Sequence, residues 1–325
     1  MRRAASKRNG QVGQSSPVTI YRSKRGSVIL GACEDVLADK RFREKYLGKV
    51  KLVFTSPPFP LNQKKRYGNY QGEEYVSWLA SFGPLFAEYL ASKGSVVMEL
   101  GNAWEQGSPT QSTLPYEALL AFLYAGKFKL CQELTYYNPA KLPTPAQWVT
   151  IERIRVKDST SKLWWMARVK KPDADNRRVL KPYSASMVKL LERGTYNFGR
   201  RPSEHQISET GFLKNNKGAI PPNLIQVSNT ASDSRYQRFC KDRDIDLHPA
   251  RMPEKVAEFF IKFLTKPNDV VLDPFSGSNT TGLVADRLGR RWVSIETQKD
   301  YAAAGIAWFD ERRADSVLRA YRARK

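Results

Sequence analysis

Short apolar runs alternate with longer amphipathic stretches from residue 27 onward. Residues 27–31 (SVILG) form a run of strand length, and a helical pattern follows over about 35–46. Residues 51–55 (KLVFT) form a second run that stops abruptly at Ser56-Pro57-Pro58-Phe59-Pro60. A loop rich in Lys, Arg and Tyr comes next, then an amphipathic segment over 73–90. Residues 95–100 (SVVMEL) make a third run, closed by Gly101. Strands of this length separated by helical stretches predict an α/β domain with a mostly parallel sheet.

The same grammar returns near the C-terminus. Residues 269–272 (DVVL) lead into a turn over 273–281, a helical stretch to Leu288, and a last run over 292–295 (WVSI) that ends in Glu296. A further helix is predicted over about 254–264, with Pro253 suited to its first helical position, where a missing N–H costs nothing. Residues 166–247 break the alternation with many Pro, Asn, Ser and basic residues, and read as an insertion between two portions of one α/β domain. Residues 1–25 hold seven Lys or Arg and no acid, and read as a flexible basic arm.

Composition narrows the possibilities. The 325-residue chain carries 54 Lys plus Arg against 32 Asp plus Glu, a net charge of +22, which favours a polyanionic partner, most simply nucleic acid. Forty-one per cent apolar residues and seven Trp are too many for a disordered basic tail. No apolar run is long enough to span a membrane, and the basic N-terminus lacks the apolar stretch of a signal peptide. Three scattered cysteines fit a reducing cytoplasm, and with only His205 and His248 no His-rich metal site is expected.

Three short segments carry candidate chemistry. In open α/β sheets, ligands collect beyond the carboxyl ends of strands, where Ser56, Pro57, Pro58 and Phe59 fall. The two prolines fix the backbone and remove two N–H donors, leaving a hydroxyl, free carbonyls and an aromatic face together. An exocyclic amine needs such acceptors, because its lone pair is conjugated with the ring until its hydrogens are engaged. The second segment is Asp273-Pro274-Phe275-Ser276-Gly277-Ser278-Asn279-Thr280-Thr281. Gly277 permits a close backbone approach, and Ser278, Asn279 or Thr280 can cap the following helix. Glu296, ending the next strand, suits ribose hydroxyls. The third is His248-Pro249-Ala250-Arg251-Met252-Pro253, before the predicted helix. Each segment alone also reads as an ordinary turn or helix start.

Together and in this order the three segments resemble the amino-methylating DNA methyltransferases, and the Ser-Pro-Pro-Phe form is similar to the cytosine-N4 type of the β class. The fixed positions of the family's Asp-Pro-Phe-x-Gly-Ser-x-Thr-Thr loop are all met from Asp273 to Thr281, and its His-Pro-Ala-x-x-Pro segment by His248, Pro249, Ala250 and Pro253. The resemblance implies a circularly permuted methyltransferase fold of Rossmann type with S-adenosylmethionine as methyl donor. It divides the chain into the arm (1–25), a first catalytic part (26–165), a target-recognition region (166–247), and a cofactor-binding part with a basic tail (248–325). It places the donor on Asp273, Pro274, Phe275, Gly277, Ser278, Asn279, Thr280 and Glu296, with His248 and Pro253 beside its methionine end. Ser56 and the Pro57 carbonyl would grip a cytosine amine, with Pro58 stiffening the turn and Phe59 stacking on the flipped base. Glu99 stands where a family member carries Asp, one methylene shorter, and is expected to bond Ser56 and either accept the departing proton or order the loop.

Cytosine N4 is paired and stacked inside a duplex, so the base must be extracted. Lys64, Lys65 and Arg66, just after the catalytic turn, are expected on phosphates or in a lid. From 166 to 205 ten basic residues face four acidic ones, and Arg200, Arg201, Ser203, His205 and Asn223 are candidates for contacts to base edges or backbone. Trp164 and Trp165 are expected in the core. Cys33, Cys131 and Cys240 lack the preceding proline of C5-cytosine enzymes. Adenine N6 methylation, or a non-catalytic DNA-binding protein on the same fold, are the other readings. Double-stranded DNA in a bacterial cytoplasm, with a separate restriction endonuclease, is the expected setting.

Overall fold

Apolar side chains on both faces of a strand oblige the chain to cover both faces of the sheet. A computed structural model describes residues 16–59, 70–229 and 233–323. The strands are β1 (Val18–Arg22), β2 (Gly26–Leu30), β3 (Val50–Thr55), β4 (Leu90–Gly101), β5 (Lys129–Tyr137), β6 (Thr160–Ala167), β7 (Gly199–Arg200), β8 (Gln206–Ile207), β9 (Leu224–Gln226), β10 (Val270–Asp273) and β11 (Arg291–Glu296). The helices are α1 (Cys33–Ala38), α2 (Lys40–Tyr46), α3 (Gly72–Tyr89), α4 (Leu114–Gly126), α5 (Ala185–Arg193), α6 (Arg235–Asp242), α7 (Glu254–Leu264), α8 (Thr280–Arg287), α9 (Lys299–Ile306) and α10 (Glu311–Arg322).

Nine strands form one sheet in the order β1-β2-β11-β10-β3-β4-β6-β5-β9, while β7 and β8 pair as a separate hairpin. The five central strands β2, β11, β10, β3 and β4 are parallel. Antiparallel β1 closes one side, and β6 runs against both β4 and β5 on the other. On one face Leu52, Phe54, Val97, Val271 and Trp292 pack with buried residues of α6 to α10. On the other, Val53, Val96, Met98, Leu272 and Ile295 pack with α1 to α4. The result is a three-layer α/β/α sandwich with the C-terminal ends of β3, β4 and β10 along one rim. No helix among the described residues is long and apolar enough to cross a membrane.

Several expectations change. The segment expected to be a flexible arm to residue 25 enters the sheet at Val18: Ile20 is buried and Arg313 donates to its carbonyl at 3.2 Å. Residues 1–15 lie outside the described residues. The expected helix over 35–46 breaks at Asp39, which is extended (ψ 128°) and whose carboxylate accepts the Phe42 N–H at 2.9 Å, capping α2. The insertion is narrower than 166–247. β6 continues to Ala167, β9 joins the main sheet beside β5, and α6 buries Tyr236, Phe239 and Cys240 in the core. Pro253 is the residue that caps α7, one position earlier than expected, its carbonyl accepting the Val256 N–H. The basic C-terminal run is a docked helix: α10 buries Ala314, Val317 and Leu318, and Arg322 donates to the Arg243 carbonyl. Trp164 is fully buried and Trp165 half-buried, donating to Ser95 at 2.9 Å.

Helices α3 and α4 cross at bare backbone. A Cβ on Gly83 would lie 2.8 Å from both the Gly126 nitrogen and the Phe122 carbonyl oxygen, leaving no side chain to give way. Gly83→Ala is therefore expected to lower stability by about 1–3 kcal/mol, the usual cost of overpacking a rigid contact. Urea unfolding of the two proteins checks it.

Candidate active site

The parallel pairing of β3 with β10 and with β4 brings three strand ends together, and each hands its last polar residue to the same place. Thr55 Oγ1 donates to Asp273 Oδ1 at 2.9 Å, and the Phe275 N–H donates to the same oxygen at 3.2 Å. Burial pushes Asp273 up to about 6, opposed by hydrogen bonds from Thr281, Thr55 and the Phe275 amide. The two turns are thus fastened to each other before any ligand arrives.

Beyond Thr55 the chain cannot continue as strand or helix, because Pro57 and Pro58 supply no N–H. Ser56 Oγ donates to Glu99 Oε2 at 2.8 Å, across to β4. Burial raises the Glu99 pKa above its ordinary value, while hydrogen bonds from Ser56 and Ser161 and the charge of Lys141 pull the other way. Phe59 lies against Gly101: a Cβ there would be 3.4 Å from Phe59 Cε2, so the glycine lets the ring settle close to the strand end.

The second turn follows β10. Gly277 has φ +49°, and a Cβ on it would lie 2.8 Å from His248 Nε2, so both conformation and space demand glycine. The buried Glu296 carboxylate accepts the Gly277 N–H at 2.8 Å through Oε2 and the Gln298 N–H at 2.8 Å through Oε1. Its pKa is raised by burial, against these backbone bonds. His248 meets Tyr301 edge to face, with ring centroids 4.8 Å apart, and its Nδ1 lies 3.0 Å from the Ala250 carbonyl.

Two adjoining cavities open between these segments, sharing Ser56, His248, Ala250 and Phe275 in their walls. The first, about 360 Å³, is completed by Thr55, Met252, Asp273, Ser276, Gly277, Ser278, Thr280 and Thr281 among others. The second, about 680 Å³, is walled by Pro57, Pro58, Phe59, Pro274, Glu296, Gln298 and Tyr301. Three of the expected catalytic and donor-binding residues line neither cavity. Glu99 reaches the site through Ser56. Asn279 stands buried at the N-cap of α8 in the left-handed conformation, but its side chain makes no capping bond: its Oδ1 accepts from Ser294 Oγ at 2.6 Å, which ties the loop to β11. Pro253 lines a separate cavity with Pro139 and Gln226, and Met252 takes the expected place.

The site also contains residues that the motifs did not single out. Ser276 Oγ is buried with no hydrogen-bond partner beside the first cavity; it occupies the open position of the loop, where the pattern asks for no residue type. Tyr301 reaches the second cavity because α9 begins at Lys299, a start that hydropathy does not mark. Arg200, Arg201, Ser203 and His205 gather on the β7–β8 hairpin, with Arg200 paired to Glu204 at 3.2 Å and Arg201 donating to the Asn197 carbonyl. Asn223 does not join them. Its side chain donates to the Glu133 carbonyl at 3.2 Å, docking the chain on β5. Lys64, Lys65 and Arg66 lie outside the described residues. No group of His, Cys, Asp and Glu among the described residues could hold a metal ion.

Known proteins share this architecture. A DNA methylase family model of the N6/N4 type matches residues 50–307. The type II methyltransferase M.PvuII of Proteus hauseri is 42% identical over 291 residues, covering 89% of this chain and 85% of that protein. The solved PvuII DNA methyltransferase (cytosine-N4-specific) superposes with a TM-score of 0.73 at 35% identity, over 93% of this chain and 94% of that one. The M1.HpyAVI–SAM complex shares the fold alone, with a TM-score of 0.50 at 20% identity, over 88% of this chain and 99% of that one. The family match over most of the chain and the 42% identity agree, and the chain belongs to the N6/N4 DNA methylases.

Proposed function

We propose that the protein is a site-specific DNA methyltransferase that moves a methyl group from S-adenosylmethionine to the N4 amine of a cytosine flipped out of duplex DNA. The observation that carries this reading is the Ser56 hydroxyl, held on a rigid turn, hydrogen-bonded to a buried carboxylate at 2.8 Å and opening onto both cavities. Its similarity to a cytosine-N4-specific relative supports the choice of base. Such an enzyme works in the cytoplasm on the nucleoid, as the modification partner of a separate restriction endonuclease.

The residues fit the donor. Buried Glu296 offers carboxylate oxygens at the wall of the larger cavity, where ribose hydroxyls would donate. The unsatisfied Ser276 hydroxyl and the N-terminus of α8 suit a carboxylate at the smaller one. S-adenosylmethionine, when bound, supplies an electrophilic methyl group on a sulfonium and leaves as a neutral thioether.

Because Ser56 donates its own hydrogen to Glu99, its oxygen lone pairs are left for the substrate amine. Ser56 Oγ and the Pro57 carbonyl each accept one amine hydrogen, which draws N4 toward a tetrahedral, nucleophilic shape. Phe59 holds the ring by stacking. As the N–C bond forms, N4 becomes cationic and one of its hydrogens passes to Ser56 Oγ while the serine hydrogen passes to Glu99. No covalent bond to the enzyme and no metal is called for.

Duplex DNA incubated with the protein and labelled S-adenosylmethionine should yield label in N4-methylcytosine; label in N6-methyladenine overturns the base assignment. Ser56→Ala should lower turnover about 10²–10⁴-fold while calorimetry finds donor binding little changed. Burial raises Glu99, so its carboxylate is lost, and the rate falls, as pH drops through a midpoint above the ordinary 4.5. Rate profiles should show that acid limb for the wild type, and Glu99→Gln should remove the Glu99 share of it while leaving what Asp273 and Glu296 contribute. Rising salt should weaken DNA binding steeply and donor binding hardly at all, because the loop from Asp273 to Thr281 contains no basic residue. Parallel titrations of both ligands at several salt concentrations measure the two slopes.

A further inference from the structure

Between β5 and β6 the chain leaves the sheet on the rim that carries Ser56 and Gly101, and residues 138–159 stand above that rim. In the strand order they lie between the catalytic turn after β3 and the β9 edge, where the inserted region rejoins the sheet. Lys141 is near enough for its charge to act on Glu99.

The loop is firmly built. Asn102 Nδ2 donates to both oxygens of Asp158 at 2.9 Å, pinning one foot to the end of β4. Lys157 Nζ reaches the carbonyls of Pro139 and Lys141 at 3.1 and 3.2 Å, joining the two feet. The Arg155 guanidinium lies 4.3 Å from the centre of the Trp104 ring and donates to the Pro109 carbonyl at 2.7 Å. The N–H groups of Ile154 and Arg155 both donate to the Trp148 carbonyl. The Arg155 side chain is therefore turned toward the protein and the Lys157 ammonium is held by its own loop, while the residues that alternate with them carry no such tie: Ile154 is 59% exposed and Val156 87%. Ile151 and Leu142 are exposed as well.

A loop tied down at both feet that offers its aliphatic side chains to water is built to meet something. Its charge says what. From 141 to 157 the segment carries Lys141, Arg153, Arg155 and Lys157 against Glu152 alone. A second copy of the same face would be repelled, whereas a phosphate backbone would be attracted. We propose that this loop is a DNA wedge, in which Ile154 and Val156 enter the base stack at the place the flipped nucleotide leaves, with Arg153 and Lys141 facing the phosphates. Extracting a base sacrifices stacking and pairing, and an apolar side chain in the gap offsets that loss and delays the base's return. The inference rests on the base-flipping reading above.

The test uses the full chain with Ile154→Ser and Val156→Ser combined, and the duplex that the wild type methylates. The same duplex with a mismatch opposite the target cytosine serves as a second substrate, because there the base is already loosened. The variant should lose about tenfold or more on the matched duplex and less than about twofold on the mismatched one, with donor binding and melting temperature unchanged. Val156→Ile, which keeps the apolar bulk, should retain the matched rate. Equal rates for wild type and double variant on the matched duplex overturn the wedge, as does an equal loss on both substrates. A shift from dimer to monomer in sedimentation, traced to these substitutions, assigns the face to a second copy instead and also overturns it. A wild type that methylates no DNA overturns the functional reading, and the wedge with it.

Discussion

The hydrogen bond from Thr55 to Asp273, 2.9 Å long and buried, joins two turns that are 218 residues apart in sequence. The shape of the candidate site depends on that fastening, because one turn carries Ser56 to Phe59 and the other the glycine loop. Parallel pairing of β3 and β10 brings the strand ends near each other but does not fix how the turns face. A buried carboxylate with three donors does, since leaving any of those groups unsatisfied away from water costs more than the bond itself returns. The fastening has a cost: burial opposes the charged form of Asp273, whose pKa stands at about 6.

Charge is divided between the outside and the inside of the molecule. The sequence as a whole carries a net charge of +22, while the site collects Glu99, Asp273 and Glu296, each buried and each with its pKa raised by burial. Carboxylates in such surroundings are poorly screened, so they act strongly on whatever enters. A positively charged sulfonium and a DNA backbone are opposite kinds of ligand.

What could be read from the sequence was local. The runs at 51–55, 95–100 and 269–272 announced the central strands because strands buried on both faces must be apolar throughout. The Pro-Pro pair and Gly277 announced their turns because few other residues tolerate those backbones. The expected bond between Glu99 and Ser56 came from the family resemblance, which sets an acidic residue near the end of the neighbouring strand, and it is present at 2.8 Å. What escaped depends on distant partners. β1 is short, buries only Ile20 and lies at the sheet edge, where it pairs with β2 alone. β9 is three residues long and owes its place to β5. Asn279 looked like a helix cap, yet Ser294, fifteen residues on, claims its side chain. Pro253 matched the motif, but the start of α7 turned it toward Pro139 and Gln226.

Ser56, His248, Ala250 and Phe275 each belong to the walls of both cavities. A shared wall is a thermodynamic coupling. Whatever fills one cavity restricts the rotamers of Ser56, His248 and Phe275, and so sets the entropy that the second ligand must still give up on binding. Linkage makes the effect mutual: if the methyl donor sharpens the grip on the base, the base sharpens the grip on the donor by the same factor. Order of addition then becomes a matter of concentrations, while the coupling between the two ligands passes through the side chains they share.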